Sequence, residues 1–316
     1  MKLGLHSMSY AGMWGGATLE LEDVLDTAAE LGFDGVMLMA KRPHASPLDL
    51  PQDRVKRLKH QLEAQKLEVI SVAAYNDFAA RIGADTGTQY PSGIPLTELQ
   101  VLHVRHCAEL AHELGAPYVR IFTGYERPGL TPAEAWHVVV EAIRQCAEHA
   151  APLGVSLAVQ NHHDVANHPQ TLRALVDEVG LPNVRVAYDA WVPALQGFTP
   201  QELEESAAEL APLVAYTTVA DYEVLPRFRY DTRLLNFIPE TPELRAVPMG
   251  EGFIAYDAFM RGLCSGGFDG YAVYEMCSPL RGGGSRENLD ACARQFANWI
   301  RQFDAARAAD PSVRGG

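Results

Sequence analysis

Residues 28–40 read AAELGFDGVMLMA, which is the end of an amphipathic helix pattern, a glycine and then a short apolar run. The same order of features returns at residues 111–124, 150–161 and 264–276. The glycine suits the C-terminal end of a helix, where a left-handed backbone conformation is common. The apolar runs are too short for helices and continuous enough for the buried strands of a parallel sheet. The repeated phrase therefore predicts a chain that alternates between helix and parallel strand.

Eight apolar runs of this kind occur along the chain, and helix patterns separate them. The runs begin near Leu3, Gly35, Val69, Tyr118, Ser156, Arg185, Val214 and Tyr271. Eight such alternations predict one α/β domain, a closed (β/α)8 TIM barrel over residues 1–303, followed by a flexible tail over residues 304–316. The alternative is an open doubly wound sheet, which usually has a glycine-rich phosphate turn after its first strand. The residues after the first run, HSMSYAGMWGG at 6–16, lack that turn pattern and favour the barrel.

Two helix starts are marked by the same Thr-Pro-x-Glu pattern, at residues 131–134 and 199–202. The threonine caps the helix, proline fits its first position, and the glutamate side chain reaches back to the cap. Two long loops are expected, at residues 76–96 after the third strand and at residues 222–252 after the seventh. Both would lie at the C-terminal face of the barrel, where long loops usually act as lids or substrate walls.

The composition is that of a globular enzyme-sized protein. The chain has 316 residues, of which 47% are hydrophobic and 21% charged, and its net charge is −14. An acidic chain is a poor partner for nucleic acid, since phosphate binding requires a basic surface. Five cysteines without CxxC spacing indicate a reducing, cytoplasmic compartment. The N-terminal residues lack a signal pattern, and no apolar run is long enough to span a membrane.

Polar side chains stand where several predicted strands end. The candidates from separate strands are His6, Gln160 with the adjoining pair His162 and His163, Asp189, Thr218 and Glu275. The C-terminal ends of barrel strands converge on one axis, so these side chains should meet. Oxygen ligands from Gln160, Asp189 and Glu275 would hold a divalent cation such as Mn²⁺ or Mg²⁺.

The histidine pair supplies candidate proton-transfer groups beside Glu275, because an imidazole titrates near neutral pH. Residue alternation places His162 and His163 on opposite sides of the strand, and which of them faces the site stays open. The other histidine would then support a neighbouring carboxylate.

Five residues are candidate substrate contacts: His6, Thr218, Trp191, Arg227 and Arg229. The two arginines follow the seventh strand and would bind substrate oxygens through paired hydrogen bonds, or alternatively form surface salt bridges. Trp191 would supply an apolar wall for one face of a sugar. His6 would touch substrate or serve as a packed, hydrogen-bonded residue.

The order of several short motifs resembles the sugar phosphate isomerase/epimerase family of xylose isomerase-like TIM barrels. These motifs are MKLGLHSMSY, LGFDGVMLM, LAVQNHHD, RVAYDAW, VPMGEGFIAYDAF and GYAVYEM, and they cover roughly residues 1–303. The resemblance implies one divalent metal, held by a Glu, an Asp, a His and a Glu from strands five to eight. Asp189 and Glu275 match two of these positions.

Two positions depart from the implied ligand set. Gln160 stands at the strand-five Glu position and Thr218 at the strand-seven His position, while Met37 replaces a Glu that many members have in strand two. An amide ligates only through a neutral oxygen, and a threonine hydroxyl is a poor ligand, so metal affinity should fall. The expected ion is still Mn²⁺ or Mg²⁺, with Zn²⁺ or Co²⁺ as alternatives.

The predicted function is that of a metal-dependent isomerase or epimerase, acting on a sugar or keto-sugar by proton abstraction next to a carbonyl, through an enediolate. Because Gln160 cannot act as a base, a lyase of the same fold stays open, either a dehydratase or the catalytic subunit of a C-glycoside-cleaving enzyme. A catalytically silent sugar-binding barrel is the third possibility. The expected partner is a small carbohydrate, neither nucleic acid nor a membrane is expected, and a homo-oligomer or a second subunit stays open.

Overall fold

The computed structural model of the chain describes residues 1–80 and 95–309. Eight parallel strands close into a barrel in the order β1-β10-β7-β6-β5-β4-β3-β2. These strands are β1 (Lys2–His6), β2 (Gly35–Met39), β3 (Glu68–Ala73), β4 (Tyr118–Ile121), β5 (Ser156–Gln160), β6 (Val184–Ala187), β7 (Val214–Val219) and β10 (Tyr271–Tyr274). Each begins within one residue of its predicted start, and the predicted (β/α)8 fold is confirmed.

Helices surround the barrel and return the chain to the start of the next strand. In the described residues they are α1 (Leu21–Glu30), α2 (Gln52–Gln65), α3 (Leu96–Leu114), α4 (Pro132–Ala150), α5 (Pro169–Val179), α6 (Trp191–Leu195), α7 (Pro200–Leu210), α8 (Tyr256–Ser265) and α9 (Arg286–Ala309). Both predicted capping boxes are present, at Thr131 and at Thr199. Helix α9 continues past residue 303, so the first part of the predicted flexible tail is helical, and residues 310–316 lie outside the described part of the chain.

Two apolar layers hold the fold together. The larger lies between the strands and the surrounding helices. The smaller fills the barrel interior with Met37, Ile70, Ala73, Ala158, Ala187, Tyr216 and Val273. A barrel filled with side chains in this way has no through-going pore, and polar chemistry is confined to its C-terminal mouth. Among the helices of residues 1–80 and 95–309, none has both the length and the apolar character needed to cross a bilayer.

The segment after β7 is a long antiparallel hairpin and not the loop that the sequence analysis expects. Its strands are β8 (Asp221–Asp231) and β9 (Asn236–Val247), which pair with each other as a separate two-stranded sheet. The far part of the hairpin is solvent-exposed, including Phe228 and Phe237. Most of the other predicted loop falls in residues 81–94, outside the described residues.

The buried carboxylate of Asp221 fixes the base of this hairpin. Its Oδ2 accepts hydrogen bonds from the backbone N–H groups of Gly250 and Gly252, each at 2.9 Å, and its Oδ1 accepts one from Tyr222 at 3.0 Å. A side chain at residue 252 would not fit, because its Cβ would lie 2.0 Å from Asp221 Oδ1. Asp221 therefore joins the start of the hairpin to the segment that follows it.

Asp221→Ala should lower the free energy of unfolding by about 2–3 kcal/mol, since three backbone donors lose their acceptor together. Chemical denaturation of both proteins measures the difference. The matched control is Asp177→Ala, whose carboxylate forms an exposed ion pair with Arg173 and should contribute about 1 kcal/mol at most. Equal effects of the two substitutions would contradict the anchoring role of Asp221.

Candidate active site

Four strand-end side chains meet at the C-terminal mouth of the barrel. Gln160, Asp189, Thr218 and Glu275 all line one cavity of about 10 Å³, which Trp191 and Cys277 help to enclose. That volume holds about one water-sized group. Their positions at the ends of predicted strands indicate that these side chains converge, and the structure brings them together.

Gln160 connects the members of this cluster through both ends of its amide. Its Nε2 donates hydrogen bonds to Asp189 Oδ2 at 3.0 Å and to Thr218 Oγ1 at 2.9 Å. Its Oε1 accepts a hydrogen bond from Arg120 Nη1 at 3.1 Å. The amide thus presents donors toward the carboxylate and an acceptor toward the guanidinium.

Arg120 is a central residue of the site that the sequence analysis does not identify. It lies in β4 and is fully buried, with Nη1 3.5 Å from Glu275 Oε1. The centre of its guanidinium lies 4.3 Å from the ring centroids of both Tyr75 and Phe122, which is a cation–π geometry. A signal was available in the sequence, because a charged residue inside the apolar run YVRIF needs a buried partner.

Burial raises the pKa of both carboxyl groups of the cavity. Burial raises the pKa of Asp189 to about 7, although its hydrogen bond from Gln160 acts in the opposite direction. Burial also raises the pKa of Glu275 above its usual value, and the neighbouring Arg120 opposes that increase. Asn161 fixes the position of Asp189 through two hydrogen bonds with its backbone, of 2.9 and 3.1 Å. A carboxyl group that titrates near neutral pH can both donate and accept a proton.

His6 lies behind Glu275, on the side of the barrel formed by β1. Its Nε2 is 3.8 Å from Glu275 Oε1 and 3.1 Å from the hydroxyl of Tyr75, and its Nδ1 is 3.1 Å from the backbone oxygen of Met37. Burial, followed by the charge of Arg120, lowers the pKa of His6 well below its usual value. A neutral imidazole is therefore hydrogen-bonded to the Tyr75 hydroxyl and lies beside Glu275 without a hydrogen bond to it.

The structure places His162 and His163 in an aromatic cluster beside the cavity, and neither lines the cavity. The His163 ring stacks between Phe122 and Tyr125, with centroid distances of 4.1 and 4.0 Å. The His162 ring packs against Trp191 at 4.9 Å. Burial lowers the pKa of His162 to about 4 and that of His163 to about 3. This differs from the expected role in general acid–base catalysis, since such weakly basic imidazoles are poor proton acceptors at neutral pH.

Arg227 and Arg229 lie on the exposed hairpin and do not reach the cavity. Arg227 pairs with Glu243 at 2.6 Å, and Arg229 pairs with Glu240 at 3.3 Å. Their predicted contact with substrate is not supported, and the surface salt bridges left open in the sequence analysis are what the structure contains. Trp191, in contrast, lines the cavity, where its ring stacks on Tyr222 with centroids 5.0 Å apart.

The residues present do not fit the divalent cation that the resemblance implies. In residues 1–80 and 95–309, no group of three or more His, Cys, Asp and Glu side chains is arranged to hold a metal ion. Gln160 directs its oxygen at Arg120 and its nitrogen at Asp189, so the side facing Asp189 carries N–H donors and not a ligand oxygen. A cation between the two carboxylates would also meet the guanidinium beside Glu275, and like charges repel strongly in a buried site. The predicted Mn²⁺ or Mg²⁺ therefore lacks its expected ligand set here.

Comparisons with known proteins give a consistent picture of the fold and of the relatives. The sequence profile of the family described as "Xylose isomerase-like TIM barrel" matches residues 25–303. Fructoselysine 3-epimerase of Shigella flexneri is 20% identical over 270 residues, which is 82% of this chain and 86% of that protein. The 2-epi-5-epi-valiolone 7-phosphate 2-epimerase of an Actinoplanes species is 27% identical over 187 residues, which is 58% of this chain and 62% of that protein. A crystal structure of IOLI protein with a bound zinc atom superposes with a TM-score of 0.70, covering 96% of this chain and 98% of the other at 16% identity.

The stacked His163 should make stability depend on pH. Its pKa is about 3 in the folded protein and about 6.5 in an unfolded chain, so the unfolded state binds a proton first as the pH falls. Stability is therefore lost as the pH decreases below about 6.5. Between pH 7.5 and pH 5, the native protein should lose about 2 kcal/mol more than His163→Phe, which keeps the stacked ring. Urea unfolding at the two pH values measures this, with the exposed His60→Phe as control; a parallel pH profile for native protein and His163→Phe would contradict the assignment.

Proposed function

This chain belongs to the xylose isomerase-like TIM barrel family, and we propose that it is an epimerase or isomerase of a keto-sugar. The two relatives described above are epimerases, one for fructoselysine and one for 2-epi-5-epi-valiolone 7-phosphate, which supports a sugar isomerase/epimerase-like enzyme. The proposed reaction removes a proton from the carbon next to a carbonyl and returns a proton to the resulting enediolate.

One observation carries the proposal: Asp189 and Glu275 line the same small cavity, and burial raises the pKa of both. Two carboxyl groups on one cavity can act on the same carbon from different directions. Gln160 stands between them and cannot itself take a proton, because an amide has no basic site at neutral pH.

In the proposed step, Glu275 acts as the base, since Arg120 favours its ionised form. It takes the proton from the carbon, and the electron pair of the C–H bond forms the double bond of the enediolate while negative charge moves to the carbonyl oxygen. Asp189, which is partly protonated near neutral pH, then gives a proton to the other face of the carbon. Exchange with solvent returns both carboxyl groups to their starting states.

The surroundings of the cavity support a sugar as ligand. Trp191 and Tyr222 form a stacked aromatic wall beside Asp189, and an aromatic ring packs well against the C–H face of a sugar. Thr218, held by Gln160, offers a hydroxyl to a substrate oxygen. The cavity itself takes about one oxygen-sized group, so the sugar ring would lie outward from it, over the aromatic wall.

Incubation with keto-sugars in D₂O tests the proposal. With D-fructose, D-tagatose and a 3-keto-glucoside as probes, at least one sugar should gain a solvent deuterium next to its carbonyl, without loss of a group. Glu275→Gln should lower the exchange rate by about 1000-fold or more, because the base is gone, while the exposed Glu251→Gln should leave it unchanged.

Mass spectrometry and NMR of the recovered sugar measure the exchange, and circular dichroism verifies the fold of each variant. Release of a fragment would contradict the epimerase and favour the lyase. Unchanged exchange in Glu275→Gln would contradict the assigned base.

A further inference from the structure

We infer that the guanidinium of Arg120 takes the position of the catalytic cation in this barrel, excludes a divalent metal ion, and stabilises the oxyanion of the reaction. The exclusion of metal depends only on the geometry of the site. The oxyanion role rests, in addition, on the proposed function. The ligand class is the carbonyl oxygen of a keto-sugar, which becomes the enediolate oxygen.

The first support is the position of the side chain. Arg120 is buried at the barrel mouth, with Nη1 at 3.1 Å from Gln160 Oε1 and 3.5 Å from Glu275 Oε1. Both of these oxygen atoms belong to residues predicted as metal ligands. The guanidinium therefore already interacts with oxygen atoms that a cation would need.

The second support is the charge of the site. In a site with three carboxylates, a divalent cation and no guanidinium, the net charge would be one negative charge. The actual site has two carboxyl groups, Asp189 and Glu275, and even with both ionised the single positive charge of Arg120 leaves at most the same net negative charge. A divalent cation added to the actual site would reverse its sign in a buried location, where uncompensated charge is costly. The partly buried Lys41, with its ammonium 4.0 Å from the Tyr75 ring centroid, would add to the repulsion.

The third support is the unused hydrogen-bonding capacity of Arg120. Its Nε and Nη2 atoms are buried and have no hydrogen-bond partner, whereas a guanidinium has five N–H donors in total. The rings of Tyr75 and Phe122 pack on the guanidinium, and of the two only Tyr75 carries an acceptor, its hydroxyl oxygen, which interacts with Arg120. Neighbouring N–H donors held in a fixed plane are suited to an oxygen with developing negative charge.

The backbone conformation of Tyr75 also indicates that the surrounding structure enforces the packing of its ring on Arg120. Tyr75 has a φ of 55°, in the left-handed region that residues other than glycine seldom adopt. Its hydroxyl contacts His6 Nε2 at 3.1 Å while its ring packs on the guanidinium. Strained residues of this kind persist where the surrounding structure enforces them, and they concentrate at functional sites.

In the reaction, Arg120 forms and breaks no covalent bond. Glu275 takes the proton and the carbonyl oxygen gains the negative charge. Arg120 contacts Gln160 and Glu275 but does not itself line the cavity, so its positive charge stabilises that oxygen across these two side chains. No oxidant or reductant is needed, because the electron pair stays within the sugar. Arg120 is thus a positioning residue, which acts through its charge and through its contacts with Gln160 and Glu275.

Mn²⁺ binding tests the exclusion of metal without reference to any substrate. In EPR titrations of the full chain, the native protein should leave the signal of free Mn²⁺ unchanged. In thermal unfolding, 1 mM Mn²⁺ should shift the Tm of the native protein by less than about 1 °C. This concentration is on the order of 100 times the Kd of a site that binds in the micromolar range. The double variant Arg120→Met with Gln160→Glu should bind about one Mn²⁺ and gain about 3 °C or more. The exposed Arg173→Met, which removes the same charge from the surface, should behave like the native protein.

Binding of about one Mn²⁺ by the native protein, abolished in Asp189→Asn, would overturn the inference. A folded double variant that binds no Mn²⁺ would also overturn it, since the guanidinium would then not be what keeps the cation out. Neither result depends on the sugar reaction.

Deuterium exchange tests the oxyanion role. Exchange by native protein in EDTA should equal that without EDTA, and Arg120→Lys should lower kcat by about 100-fold with KM within about 3-fold, because Lys keeps the charge and loses the fork of donors. Loss of exchange in EDTA, or a raised KM with unchanged kcat, would overturn the role. Absence of exchange in the native protein would instead refute the proposed function, and the Mn²⁺ titration would still decide whether Arg120 excludes metal.

Discussion

The pairing of one buried guanidinium with the acids around it is the constraint on which the mouth of this barrel depends. Arg120 has no exposure to solvent, so its charge has to be balanced by Glu275 and by the oxygen of Gln160. The orientation of Gln160 follows, because its oxygen is taken and its nitrogen is left to face Asp189. Each residue thereby limits the next one, and the cluster behaves as a single hydrogen-bonded unit whose members cannot be substituted independently.

The barrel could be predicted from the sequence because each of its parts leaves a local signal. A glycine followed by a short apolar run marks every return from helix to strand in the four quoted repeats, and Thr131 and Thr199 mark helix starts that the structure confirms. The hairpin could not be predicted because its strands carry many polar residues and have prolines at residues 226, 239 and 242, which are typical of loops. A two-stranded ribbon tolerates such residues, since one edge of each strand is free of hydrogen bonds.

The candidate site could be predicted only in part. Gln160, Asp189, Thr218 and Glu275 were identifiable because polar residues at the ends of apolar runs must converge in a barrel. The sequence leaves open which of His162 and His163 faces the site. The reason is that β5 ends at Gln160, and side-chain alternation no longer applies beyond that point. Arg120 lies inside β4 and not at its end, so it does not belong to the polar residues that follow the apolar runs. Its contacts with Gln160 and Glu275 become visible only in the three-dimensional structure.

The base of the hairpin is part of the surroundings of the site. Strand β8 has 11 residues, which corresponds to roughly 35 Å of continuous ribbon, and it runs from the buried Tyr222, which stacks on Trp191, to the exposed tip near Tyr230. Asp221 holds the inner end of the hairpin through the hydrogen bonds that its carboxylate accepts from Gly250 and Gly252. Because Tyr222 follows Asp221 directly and stacks on Trp191, the hydrogen bonds that hold the base of the hairpin also fix the position of one ring of the aromatic wall.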